Sequence, residues 1–211
     1  MGLDWIPAAG PLPGKEVEFN KILDAVLTST EDTIDELHDQ LDLVSRFTPE
    51  AVNAPRVGFD EIANKFMQER YQNEEPEEPF NEWVKQFHGR GIISLAEPCD
   101  GIPRYSNGGY YDGVDSTSFR GGFLNECVDI IGKKLLDQAF ETMKAEQLLK
   151  YADQLEERAN SSARIRKIDL NRVDWSQVDT NEYIQQLDIV LCAARYCRFW
   201  GQQGFYVRAW F

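Results

Sequence analysis

The stretch Asn181–Trp200, NEYIQQLDIVLCAARYCRFW, decides the fold. From Leu187 to Trp200 it is apolar on nearly every helical face, with Arg195 and Arg198 as exceptions. A helix of that kind is buried on several sides. It is expected at the centre of a bundle, with a carboxylate for each arginine, because a buried guanidinium is costly alone. Gly201 and Gly204 end it, and the tail GFYVRAWF is aromatic and β-prone. The tail is expected to pack as a strand, against Ile92–Leu95 or Ile165–Val173.

Upstream, Phe123, Leu124, Val128, Ile131, Leu135, Leu136, Ala139, Phe140 and Met143 keep one helical phase. Leu148, Leu149, Ala152 and Leu155 continue it after a slip near residue 144. The pattern predicts one long helix to about Asn160, or two helices with a bend. The polar segment 161–178 holds the one basic cluster, Arg164, Arg166 and Lys167.

In the first half, Phe19, Ile22, Leu23, Val26 and Leu27 predict a helix over Glu16–Thr28. Ser29 and Thr30 suit the cap of a second helix running to Phe47. That helix has a narrow stripe (Ile34, Leu37, Leu41, Val44) and acids on its other faces, as an outer helix would. His38 among those acids reads as a solvated surface residue. A third helix is expected over Phe59–Tyr71, and a short aromatic one from Phe80 to Phe87. Between them QNEEPEEP, residues 72–79, reads as an exposed linker. It is the one candidate boundary in what is otherwise a single helical domain over 1–211. Residues 1–14, with three prolines, read as an extended arm that Trp5 pins to the body. The expected fold is mainly α, a helical bundle of about six or seven helices with a minor β element from a central hairpin and the C-terminal strand.

With 211 residues and 42% apolar side chains, the chain can fill a core. No run approaches the roughly 20 apolar residues that cross a bilayer. The opening MGLDWIPAAGPLPG lacks the regions of a secretion signal, so a cytoplasmic protein is expected. Cys99, Cys127, Cys192 and Cys197 form no C-x-x-C pair, and only His38 and His88 could join them. They read as reduced, mostly buried thiols, and neither a metal nor another cofactor is expected.

The net charge of −14 is unevenly spread. Residues 1–100 carry 21 acidic and 8 basic side chains, a balance of −13, against 15 and 14 in residues 101–211, a balance of −1. That opposes nucleic acid and anionic membrane as partners and suits a basic protein partner.

The stretch Arg104–Cys127, RYSNGGYYDGVDSTSFRGGFLNEC, is where a small-ligand surface is expected. Asn107-Gly108-Gly109 reads as a tight turn between Tyr105 and Tyr110, the centre of a small hairpin. Asp115 or Ser116 would cap a helix beginning near Ser118. Hydroxyls, Arg120 and free N–H groups at a helix start suit an anion, yet no phosphate-loop pattern is present. The candidate ligand-binding residues are Arg104, Tyr105, Tyr110, Tyr111, Asp112, Asp115, Ser118, Arg120 and Glu126. Asp112, Asp115, Glu126 and Asp129 have the oxygen chemistry of a Mg²⁺ or Ca²⁺ site but depart from EF-hand spacing. They read instead as the polar side of a helix. There is no G-x-S-x-G, and a triad would have to recruit His88, as would a Cys127–His88 pair.

Three functional readings follow. The leading one is a non-enzymatic acidic interaction protein, such as a toxin-immunity protein inhibiting a basic partner. The second is an enzyme or small-ligand-binding protein that uses the 104–127 loop. The third is a structural domain without a ligand. Oligomeric state is not legible in the sequence.

Overall fold

A computed structural model describes residues 2–29, 34–106 and 114–211. The chain opens with strand β1 (Asp4–Pro11), followed by helices α1 (Glu16–Thr28) and α2 (Ile34–Asp42) and a two-residue strand, β2 (Ser45–Arg46). Then come α3 (Thr48–Ala51), α4 (Glu61–Glu74) and α5 (Phe80–Trp83). The second half carries α6 (Val128–Ile131), α7 (Lys133–Gln138), α8 (Ala145–Ile165), α9 (Glu182–Gln202) and β3 (Tyr206–Trp210), with short 3₁₀ turns between. The fold is mainly α with a small antiparallel sheet.

Helix α9 is the buried element that its sequence predicts. Leu187, Ile189, Val190, Ala193, Tyr196, Cys197 and Trp200 are all in the core. Asn181 caps it by accepting from the Ile184 N–H at 3.1 Å. At its far end the Phe205 N–H reaches Trp200 O and the Gly204 N–H reaches Gly201 O. This is the Schellman closure, with Gly204 at φ +78° and Phe205 packed on Trp200. Helix α8 runs antiparallel to α9. Ser162 bonds Tyr183 at one end, and Gly201 lies against Ala145 and Leu149 at the other. A Cβ on Gly201 would come within 3.0 Å of Ala145 O, so the glycine sets how closely the two helices approach.

Both arginines of α9 find carboxylates, but from its rim. Arg198 pairs with Asp153 and Glu156 of α8, and Arg195 lies 3.3 Å from Asp100. The polar side chain that is buried in this helix is Asp188.

The tail is a strand, but its partner is neither of the two expected segments. β3 pairs antiparallel with β1, and the sheet order is β2-β1-β3. The N-terminal stretch is therefore the central strand of the sheet rather than an arm. Its Pro7 carries no N–H, and the β1–β3 register shifts between Pro7 and Ala9. Trp5 anchors it from inside the core. The indole donates to Ala139 O at 2.7 Å, the backbone exchanges two hydrogen bonds with Phe119, and the ring stacks on Phe119 and Tyr196.

Residues 123–143 keep one apolar phase but do not form one helix. A 3₁₀ segment, Gly121–Cys127, leads into α6, and Gly132 then breaks the run at φ +80°, a backbone that L side chains rarely adopt. The long helix begins only at Ala145 and runs to Ile165. The segment expected as a strand over Ile165–Val173 is instead the end of α8 and a 3₁₀ turn, Leu170–Arg172. Asn107-Gly108-Gly109, the expected hairpin turn, lies outside the described residues, as do Thr30 and its expected cap.

Two smaller cores flank the main one. Phe19, Leu23, Leu41 and Val44 join α1 to α2 over Ala9 and Tyr206. Val57, Ala63, Met67 and Trp83 join α4 to α5, with Tyr71, Phe80 and Phe87 around them. Helix α4 continues through residues 72–74, so the exposed acidic connection is shorter than the expected linker. Among the described residues, no helix is long and apolar enough to cross a membrane.

Candidate functional site

The segment beginning at Arg104 is tied to α9. The Tyr105 hydroxyl donates to Asp188 Oδ2 at 2.7 Å, and Arg104 lies 3.5 Å from the same oxygen and 3.4 Å from Trp175 O. Cys192 Sγ is 3.6 Å from Asp188 Oδ1, and Arg195 donates to that sulfur at 3.0 Å. Burial, then the hydrogen bond and charge of Asp188, push the Tyr105 hydroxyl well above the usual phenol range. Burial, with Asp188 adding, pushes the Cys192 thiol up to about 12. Both groups therefore stay protonated near neutral pH and serve the carboxylate as neutral donors. The cluster compensates a buried charge, and its sulfur has little thiolate with which to act as a nucleophile.

The other candidate residues of the loop go different ways. Arg120 reaches back to Asp4, 4.0 Å away on β1. Ser118 is buried beside Phe119, while Glu126 is exposed in the 3₁₀ segment. Asp115 stands in the turn Val114–Thr117, and Tyr110, Tyr111 and Asp112 lie outside the described residues. Thus Arg104 and Tyr105 come together on Asp188, whereas Arg120 points to another element. Burial raises the Cys127 thiol to about 12, with the neighbouring Glu126 adding. Its sulfur faces Phe123 O and Gln186 O, whereas His88 packs on Phe59.

A cleft of about 1050 Å³ opens elsewhere, between the sheet and α3. One wall is Ile6, Pro7 and Ala8 of β1 with Arg208 of β3, and another is the chain from Thr48 to Arg56. The third is a short antiparallel ladder. Arg56 pairs with Gly91, the Val57 N–H reaches Arg90 O, and the Ile92 N–H reaches Pro55 O. The ladder delivers Arg56 and Arg90 to the same cleft as Arg208. Sequence reasoning missed this site because its residues come from four separated segments. The one local hint is Gly89-Arg90-Gly91, an arginine between two turn residues.

The acidic surface has its own geometry. Asp35, Glu36, Asp39 and Asp42 are all exposed on α2. Asp39 and Asp42 fill its last turn, where there is no basic residue. Neither has a cation within ion-pair reach among the described residues. Leu43 follows them and is 79% exposed.

No protein-family model matches the chain, and no match is found among curated proteins or among solved structures.

Proposed function

We propose that the chain is a non-enzymatic binding protein whose acidic N-terminal half receives a basic protein partner. Inhibition of a basic nuclease, in the manner of a toxin-immunity protein, is the concrete instance. The observation that carries this reading is the last turn of α2. A helix C-terminus bears partial negative charge and favours lysine or arginine by about 0.3–1 kcal/mol per group. Asp39 and Asp42 put two exposed carboxylates there instead. They also stand three apart, and Asp39 is four from Asp35, spacings at which like charges repel by about 0.2–0.5 kcal/mol. Charge that weakens its own helix is better explained by a partner than by folding. The exposed Leu43 beside it suits an interface anchor more than a surface kept only for solubility.

A cytoplasmic location goes with this reading, since all four cysteines are unpaired, as thiols are in a reducing compartment. The same field that draws a basic protein repels nucleic acid and anionic lipid.

The experiment is capture from an extract of the native cell on immobilised protein at about 0.05 M salt, followed by elution at about 0.5 M. A basic protein should be retained, released by salt, and lost when α2 carries Asp35→Asn, Glu36→Gln, Asp39→Asn and Asp42→Asn. Retention of acidic proteins alone, or retention indifferent to salt and to these substitutions, would refute the reading.

A further inference from the structure

We infer that the cleft between β1, α3 and the 55–57/90–92 ladder binds a small organic molecule bearing a carboxylate or phosphate group. The site is separate from the acidic face of α2 and stands or falls independently of it.

Charge is the first ground. Arg56, Arg90 and Arg208 all line the cleft, and the first two come from the acidic residues 1–100. Six other arginines, Arg70, Arg104, Arg120, Arg172, Arg195 and Arg198, have carboxylates within ion-pair reach. None of the three in the cleft has one among the described residues. Two carboxylates share the lining, Glu50 and Asp60. Asp60 is turned to the backbone and accepts from the Arg56 N–H at 2.6 Å. The cleft thus presents more cation than anion.

The guanidiniums are also held by aromatic faces. Arg56 lies 4.9 Å from the Phe59 ring centre, Arg90 5.6 Å from that of Phe87, and Arg208 5.2 Å from that of Trp210. Stacking restrains an arginine while leaving its N–H edge free to donate. That edge matches the paired oxygens of a carboxylate or phosphate.

The backbone fixes the cleft's width. Gly89 has φ +82°, and a Cβ on Gly91 would come 2.5 Å from Pro49 Cβ. Arg90 is therefore carried by a segment that turns at Gly89 and can lie against α3 only because Gly91 lacks a side chain. Ile6, Pro7, Pro49 and Ile93 add apolar lining that would take the carbon body of the ligand. A concave site that sets polar groups beside apolar surface is suited to a small molecule with a charged end and a carbon body. Its volume of about 1050 Å³ is just above the usual range for one molecule.

The test is calorimetric titration of the whole chain with phenyl phosphate, with phthalate, and with benzyl alcohol as a neutral control. One-site, saturable binding of at least one anion is expected, with none for the alcohol. Binding of phosphate alone or of phthalate alone identifies which oxyanion the arginines select. Arg56→Gln with Arg90→Gln should weaken binding at least about tenfold. Arg166→Gln, on the far end of α8, should leave it unchanged. If the double variant fails to fold, Arg208→Gln on the opposite wall should weaken binding in the same direction. Absence of saturable binding by both anions overturns the inference, as does binding undiminished in a folded Arg56→Gln/Arg90→Gln protein.

Discussion

The hydroxyl of Tyr105 and the carboxylate of Asp188 lie 2.7 Å apart, joining the start of the 104–127 segment to the middle of α9. Asp188 is only 5% exposed. Tyr105→Phe would leave its Oδ2 with the longer contact to Arg104, 3.5 Å away. Leaving a buried acceptor short of its best donor costs about 1–3 kcal/mol. Urea denaturation should show that loss with an unchanged denaturant slope. A Tyr105→Phe protein as stable as the parent would mean that the bond contributes nothing.

Trp5 should be the most sensitive position of the sheet. Its ring is fully buried, and its indole N–H holds Ala139 O. Trp5→Ala is expected to cost about 3–5 kcal/mol. Trp210, which pairs with Asp4 beside Trp5 but lies on the outer strand β3, is 59% exposed. Trp210→Ala should stay within about 0.5 kcal/mol of the parent. Comparable losses at the two positions, read from denaturation midpoints, would contradict the placement of β1 at the centre.

Stability should fall in alkali. The thiols of Cys127 and Cys192 are raised from 9.0 to about 12 by burial, and burial also raises the phenols of Tyr105, Tyr151 and Tyr196. Raised pKa values mean that the unfolded chain releases these protons first, from about pH 9 for thiols and about pH 10 for phenols. Their contribution is complete below about pH 9 and is lost as pH rises above it. The melting temperature should therefore hold level from these groups up to about pH 9 and decline beyond it. Cys192→Ala should shallow that decline. A melting temperature that is level or rising through about pH 10.5 would count against these burials. In the native state a thiol reagent should label Cys99, which is half-buried, well before the other three.

Neutralising the end of α2 should stabilise the protein. Asp39→Asn with Asp42→Asn removes two charges from the unfavourable end of the helix dipole and relieves repulsion within α2. A gain of about 0.5–1 kcal/mol at low salt, shrinking at high salt, is the expected outcome in thermal melts. A loss of stability would show that the fold itself needs these carboxylates.

Much of the fold was legible because apolar phase survives in single helices. α1 matches its predicted span at both ends, and the burial of α9 follows from its unbroken apolar faces. What escaped depends on contacts distant in sequence. Nothing near residue 206 says that the tail will pair with residues 4–9. The phase over 123–143 is real, since Leu124, Ile131, Leu135 and Ala139 are all in the core. It is carried through a glycine kink and 3₁₀ turns, which keep side chains inward without a continuous helix. At the candidate site, the sequence pointed to Arg104 and Tyr105 but not to Asp188, 83 positions beyond Tyr105. The cleft arginines were illegible for the same reason, being brought together by a ladder and a sheet whose pairings leave no local pattern.

The most direct measurement is the association rate of the captured partner with the parent chain and with its Asp35→Asn, Glu36→Gln, Asp39→Asn, Asp42→Asn variant, at about 0.05 M and about 0.5 M salt. If the acidic half steers a basic partner, the rate at low salt should fall by about tenfold or more in the variant, and salt should erase most of the difference. Equal rates for the two proteins at low salt would contradict the central proposal.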